Sequence, residues 1–203
     1  MTMTARHVQL LRALFAAIAA VMITFSPDHS APIGLTVFGG FAIATAIVLL
    51  LSAWFARPAG QRGRVVLLAA LYLVGGMVAG APQLRSTTTL FAVLIAWGLL
   101  AGLVELVTGL AERRAEPATA RDTIFVGALT MFLGIAVLLV RPEYRLDYAI
   151  EEAGRSFTLT GTIIAVGLFG GYAAIVAAFL GIAGFSPRAA AVPAPAPTTK
   201  DQP

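Results

Sequence analysis

The sequence predicts an all-α membrane protein: six transmembrane helices, arranged as three tandem helical hairpins in one bundle. Three observations carry this reading. Hydrophobic residues make up 59% of the 203 and charged residues only 12%, about half the share in an ordinary soluble domain. The apolar residues are gathered into long continuous runs. The chain also repeats itself on the scale of a helix, a proline turn and a second helix.

The runs are Val8–Phe25, Ile33–Phe55, Val65–Ala81, Leu90–Ala111, Ile124–Val140 and Leu159–Phe185. The shortest has 17 residues and as a helix extends roughly 25 Å, enough to span when its flanks help. Backbone polar groups in hydrocarbon must be satisfied within the segment, so each run should be helical. The runs are too long and too continuously apolar for barrel strands. The first carries a basic flank, Arg6 and Arg12, like a secretory signal. Proline follows directly after its candidate cleavage sites, so it reads as an uncleaved helix. The first, third and fifth runs end in similar turns: ITFSP at Pro27, VAGAP at Pro82 and LLVRP at Pro142. The second and sixth share an entry, FGGFA at Phe38–Ala42 and FGGYA at Phe169–Ala173, with IAWGL at Ile95–Leu99 as a weaker middle copy. The hairpin units are therefore about 8–55, 65–111 and 124–185, within one transmembrane domain, 1–187. A lone hairpin cannot bury its packing face, so the three should stack.

Two segments fall outside this scheme. The fifth loop, RPEYRLDYAIEEAGRSF, places Leu146, Ala149, Ile150, Ala153 and Phe157 on one helical face, with Asp147, Glu151 and Arg155 opposite. That pattern suits a helix lying in the outer membrane interface, or an extension of helix six. Residues 188–203 are rich in proline and alanine and should form a disordered cytoplasmic tail.

Ten of the fourteen basic residues sit at the N-terminus, in the even loops and in the tail; Arg85, Arg141, Arg145 and Arg155 are the others. The excess predicts a multi-pass membrane protein with both termini in the cytoplasm.

GGMVAGAP followed by AWGLLAGLVELVTGL, with the arginine of LLRALF at Arg12, resembles the HdeD-like family of short-repeat membrane proteins over roughly residues 8–185. The long loop Arg141–Phe157 departs from that pattern. The resemblance implies a role in acid or envelope stress and supplies no catalytic residues.

Little in the chain points to chemistry. Cysteine is absent, and His7 and His29 fall on opposite expected sides of the membrane, so no metal or thiol site is expected. Phosphate-loop, nucleophile-elbow and dinucleotide motifs are missing. Basic residues show no aromatic interleaving, which argues against nucleic acid. The expectation is a non-enzymatic protein without cofactors. Its partners would be the lipid bilayer and, beyond that, other membrane proteins or further copies of itself.

One constellation stands out. Arg12 and Glu105 are the charged residues inside the apolar runs. Helical phase puts Gly98, Gly102, Glu105 and Gly109 on one face of helix four, Gly167 and Gly171 on one face of helix six, and Arg12, Ala16 and Ala19 on one face of helix one. Small residues mark close helix approach, so all three faces should look into the bundle. Arg12 and Glu105 lie at matching depths and are predicted to pair, with Thr108 adding a hydrogen bond. Two alternatives stand: Arg12 snorkelling to headgroups and Glu105 protonated. An intramembrane carboxylate also suggests a proton or small-solute pathway. Against that, the middle of every helix otherwise reads as apolar.

Overall fold

The computed structural model describes residues 4–56, 60, 62–150 and 155–186. Arg57, Glu151, Glu152 and the expected disordered tail 188–203 lie outside the described residues. The helices are α1 (Ala5–Phe25), α2 (Ala31–Phe55), α3 (Arg62–Gly80), α4 (Thr87–Glu112), α5 (Pro117–Leu139) and α6 (Gly161–Phe185). All six are long and apolar enough to cross a membrane, and the protein is read as an integral membrane protein.

Local chemistry sets their ends. Odd helices stop shortly before Pro27, Pro82 and Pro142, where the missing N–H and the fixed ring end the ladder. They begin earlier than the apolar runs, at Ala5, Arg62 and Pro117, because a polar first turn stays helical outside hydrocarbon. Ser86 caps α4 by accepting from the Thr89 N–H, and Thr160 caps α6 by accepting from the Ile163 N–H, which satisfies otherwise free donors. His7 does local work of the same kind, its Nδ1 accepting from the Thr4 N–H at 3.2 Å.

The packing differs in one respect from three self-contained hairpins. The most extensive contacts are α4 with α5, α1 with α6 and α2 with α3; the pairs within each sequence repeat, α1–α2, α3–α4 and α5–α6, meet less closely. The result is a closed ring of three tight pairs, each made of helices from neighbouring repeats, with α6 returning to α1. Even helices form the inner layer, burying 61, 50 and 44% of their apolar windows against 33% for each odd helix.

Glycine explains the tight seams. A Cβ on Gly98 would lie 2.7 Å from the Gly134 Cα, and one on Gly102 would lie 2.5 Å from the Met131 nitrogen. Gly109 meets Ile124 in the same way, and Gly39 faces the Gly76 carbonyl across α2–α3. These backbones touch directly, so dispersion between them replaces the hydrophobic drive that lipid cannot supply.

The expectation for α6 needs correcting. Gly167 and Gly171 are exposed, with nothing within 4 Å of an added Cβ. The packed face is the neighbouring one, where Gly170 receives Ile23 and Gly184 receives Leu10 of α1. Helix six carries two stripes of small residues, and the α1 side chains select between them. Gly167 and Gly171 line an outward-facing apolar groove along α5–α6.

The fifth loop is also corrected. Strand β1 (Arg145–Ile150) pairs antiparallel with β2 (Arg155–Thr160), so the segment is a β-hairpin and neither an interfacial helix nor an extension of α6. Leu146 faces Leu159 and Tyr148 faces Phe157 in register, with the last two rings stacked at 5.8 Å. Asp147 and Thr158, side by side in the ladder, fall on the opposite, polar face. Alternation of apolar and polar residues suits a strand with a period of two. The hairpin base is fastened by the Gly161 N–H donating to the Tyr144 carbonyl at 2.9 Å.

The seams predict a contrast within one residue type. Gly102→Ala should cost about 1–3 kcal/mol through forced separation of α4 and α5, whereas Gly167→Ala and Gly171→Ala should stay within about 0.5 kcal/mol. Unfolding in mixed detergent micelles reads the difference, and equal effects at all three positions would contradict this packing.

A second prediction concerns the hairpin. Thr158 donates to Asp147 and, together with Arg145 at 3.4 Å, holds its carboxyl below the usual range, the Thr158 bond being the larger cause. A depressed carboxyl stabilises the hairpin above its unfolded pKa, and that contribution is lost as pH falls through the lower native value. Thr158→Ala should therefore raise the Asp147 titration more than Arg145→Ala does, as followed by carboxyl-carbon NMR.

Candidate functional site

Each helix reaches the end of the bundle where α1 begins and α6 finishes, here called the proximal end. Arg12 lies seven residues from the start of α1 and Glu105 seven from the end of α4, so both sit about 10 Å below that end. Arg12 Nη2 lies 2.7 Å from Glu105 Oε1, with the side chains 11% and 0% exposed. The backbones of α1 and α4 approach each other far less closely than those of the three tight pairs. The two side chains meet in the interior, and Ala16 and Ala19 on α1 and Ala101 on α4 are buried small residues of the same helices.

Thr108 does not serve Glu105 as expected. Its hydroxyl donates to the Val104 carbonyl of its own helix at 2.7 Å. Glu105 Oε2 is fully buried and has no hydrogen-bond partner among the described residues. Buried polar atoms are nearly always paired, and Glu105 also lines a cavity.

Above the pair, a cavity of about 90 Å³ opens toward the proximal end. Gln9 and Arg12 of α1, Ser52 of α2, Arg64 of α3, Thr108 of α4 and Asp122 of α5 contribute its polar walls. Gln9 Nε2 donates to Asp122 Oδ2 at 2.6 Å, tying α1 to α5 at the mouth. Such a cavity holds several water molecules, each needing roughly 10–15 Å³.

Below the pair the interior stays polar for another turn or two. Tyr72 of α3 and Tyr172 of α6 are buried within electrostatic reach of both Arg12 and Glu105. The Tyr172 hydroxyl is 2.9 Å from the Thr130 hydroxyl of α5, which itself donates to the Val126 carbonyl. This corrects the reading that the middle of every helix is apolar. Deeper still, Phe38, Phe41, Trp97 and Phe169 fill the axis with edge-to-face contacts, Phe38–Trp97 at 5.0 Å and Phe38–Phe169 at 5.5 Å. Such pairs add to area burial and close the axis. The site is a polar pocket open at one end and stopped by aromatic rings near mid-depth.

Sequence reasoning singled out Arg12 and Glu105 but missed Gln9, Tyr72, Asp122, Thr130 and Tyr172. Gln9 was legible, lying one helical turn before Arg12 on the same face. Tyr172 was legible too, as the one difference between FGGFA and FGGYA. Glu112, seven residues beyond Glu105 and also buried, follows from the same phase. The described residues hold no group of three or more metal-ligating side chains.

The chain matches no family model, no curated protein and no solved structure.

Breaking the pair from one side leaves a buried charge uncompensated. Arg12→Met should cost about 3–5 kcal/mol, while Arg12→Met with Glu105→Met should recover most of it. Thermal unfolding of the purified variants in detergent decides this. A double variant no better than the single would mean that the pair is not coupled.

Proposed function

We propose that this integral membrane protein is non-enzymatic and works through its proximal cavity, as a proton or small-solute pathway that uses Glu105. The single observation carrying this is the one-ended polar cavity whose floor is a fully buried, half-satisfied carboxylate. Intramembrane carboxylates are costly and are kept where a charge or proton has to be handled. Structural support alone needs no opening to water. It also needs no hydroxyls continuing past the pair, as Tyr72, Tyr172 and Thr130 do.

The HdeD-like resemblance supplies the setting: acid or envelope stress in a bacterial inner membrane. The excess of basic residues supports a cytoplasmic proximal end. A pathway opening there would take its substrate from the cell interior. Aromatic side chains between the cavity and the distal end, where the β-hairpin sits, form the closed gate of this state.

The experiment is proton flux in proteoliposomes under an imposed pH gradient. The wild-type protein should dissipate the gradient faster than empty vesicles, and Glu105→Gln should remove at least nine-tenths of the excess rate. A deletion strain complemented with either form should show the same ranking in acid survival. Equal flux from wild type and Glu105→Gln would defeat the reading.

A further inference from the structure

The cavity's size, charge and surroundings narrow what it can take. A divalent cation wants six or more oxygen ligands in a shell, and here a guanidinium already stands 2.7 Å from the carboxylate that would anchor it. An anion would need net positive charge, but Arg12 is neutralised by Glu105, and Arg64 at the mouth is exposed. A larger neutral solute would meet the packed rings of Phe38, Trp97 and Phe169. A proton needs no ligand shell and little volume, and it reaches Glu105 from the cavity without moving those rings.

We infer that the substrate of the cavity is the proton, taken up by Glu105 from the proximal side, and that its uptake releases Arg12 and loosens the α1–α6 pair against the α4–α5 pair at the proximal end. This rests on the pathway reading and names its substrate and its consequence.

The geometry supports both halves. The proton comes from cavity water and binds a Glu105 carboxylate oxygen; Arg12 keeps its own protons throughout. Besides Arg12, the ionisable groups facing Glu105 are Tyr72 from α3 and Tyr172 from α6; Asp122 and Glu116 at the α5 end and Arg64 of α3 line the mouth, and α2 contributes no charge. A neutral carboxyl no longer holds a guanidinium, and an arginine near a helix end extends readily to headgroups and water. The ion pair is the charged member of a set of ties between the α1–α6 and α4–α5 pairs, beside the Gln9–Asp122 and Tyr172–Thr130 hydrogen bonds, and each pair is fastened internally at its glycines. Removing the tie leaves the seams of α4–α5 and α1–α6 intact and loosens the space between them, where the cavity lies.

Two measurements on the reconstituted full chain test this. The first is infrared difference spectroscopy on acidification. A protonated-carboxyl band should appear in wild type, shift in deuterium oxide, persist in Glu105→Asp and vanish in Glu105→Gln. The second uses the absence of native cysteine: spin labels at Arg6→Cys and Arg113→Cys report the α1–α4 distance. It should lengthen with acid in wild type, and in Glu105→Gln it should be long at every pH. A band unchanged in Glu105→Gln, or a distance that ignores pH in wild type, overturns the inference. Band and distance changes without proton flux would overturn the pathway reading and leave this one standing. Flux with no Glu105 band would do the reverse.

Discussion

Two apolar helices in hydrocarbon have little reason to prefer each other to lipid, so this fold depends on backbones touching. Where Gly98 meets Gly134 and Gly102 meets Met131, there is no room for even a methyl group. The same is true, with side chains set into glycine notches, where Ile23 and Leu10 meet α6. Dispersion over such contacts, with almost no side-chain entropy to lose, favours protein over lipid. The three tight pairs fix the positions of everything else. The glycine face of α4 is committed to α5, and Glu105, which shares that face, is buried with it.

The charged centre then sits where the three tight pairs converge. Arg12 comes from α1–α6, Glu105 from α4–α5 and Tyr72 from α2–α3. Either charge alone would cost on the order of 3 kcal/mol near the bilayer centre by insertion scales. Two opposite charges 4 Å apart attract by about 4 kcal/mol at an effective dielectric of 20, so mutual pairing offsets much of that cost. The balance is narrow, and a group held in narrow balance responds to small chemical changes. A core of leucine in the same place would be inert.

Much of this was legible in the sequence, and the failures have physical causes. Run length located all six helices because hydrocarbon allows no other backbone state. Arg12 and Glu105 could be paired from depth and phase alone, since each had few alternatives. Gly98, Gly102 and Gly109 were assigned to a packed face correctly because helix four has one dominant small stripe. Helix six has two, and the choice between Gly167/Gly171 and Gly170/Gly184 belongs to α1, which a reading of helix six cannot see. Thr108 found a nearer acceptor in its own helix, as buried threonines commonly do. The segment 145–160 satisfied helical and strand periods together, and cross-strand pairing of Tyr148 with Phe157 and Asp147 with Thr158 decided it. Tyr72 and Tyr172 were overlooked because a tyrosine in an apolar run counts as apolar until its hydroxyl has a place to go.

The closing of α6 onto α1 bears on how the molecule is made. Ribosomes deliver α1 first and α6 last, yet these two form one of the tightest pairs in the ring. During synthesis, the α1 side chains that seat in α6, Leu10 and Ile23, lack their glycine notches until the last helix enters, and Arg12 has no carboxylate until α4 has entered the membrane. Its place near a helix end, with water within reach, makes that interval tolerable. The ring cannot be sealed one repeat at a time: two of its pairs join across repeats as the chain grows, and the third waits for the final helix. A nascent chain halted after α5 would therefore hold its two inner seams and an unsealed first helix.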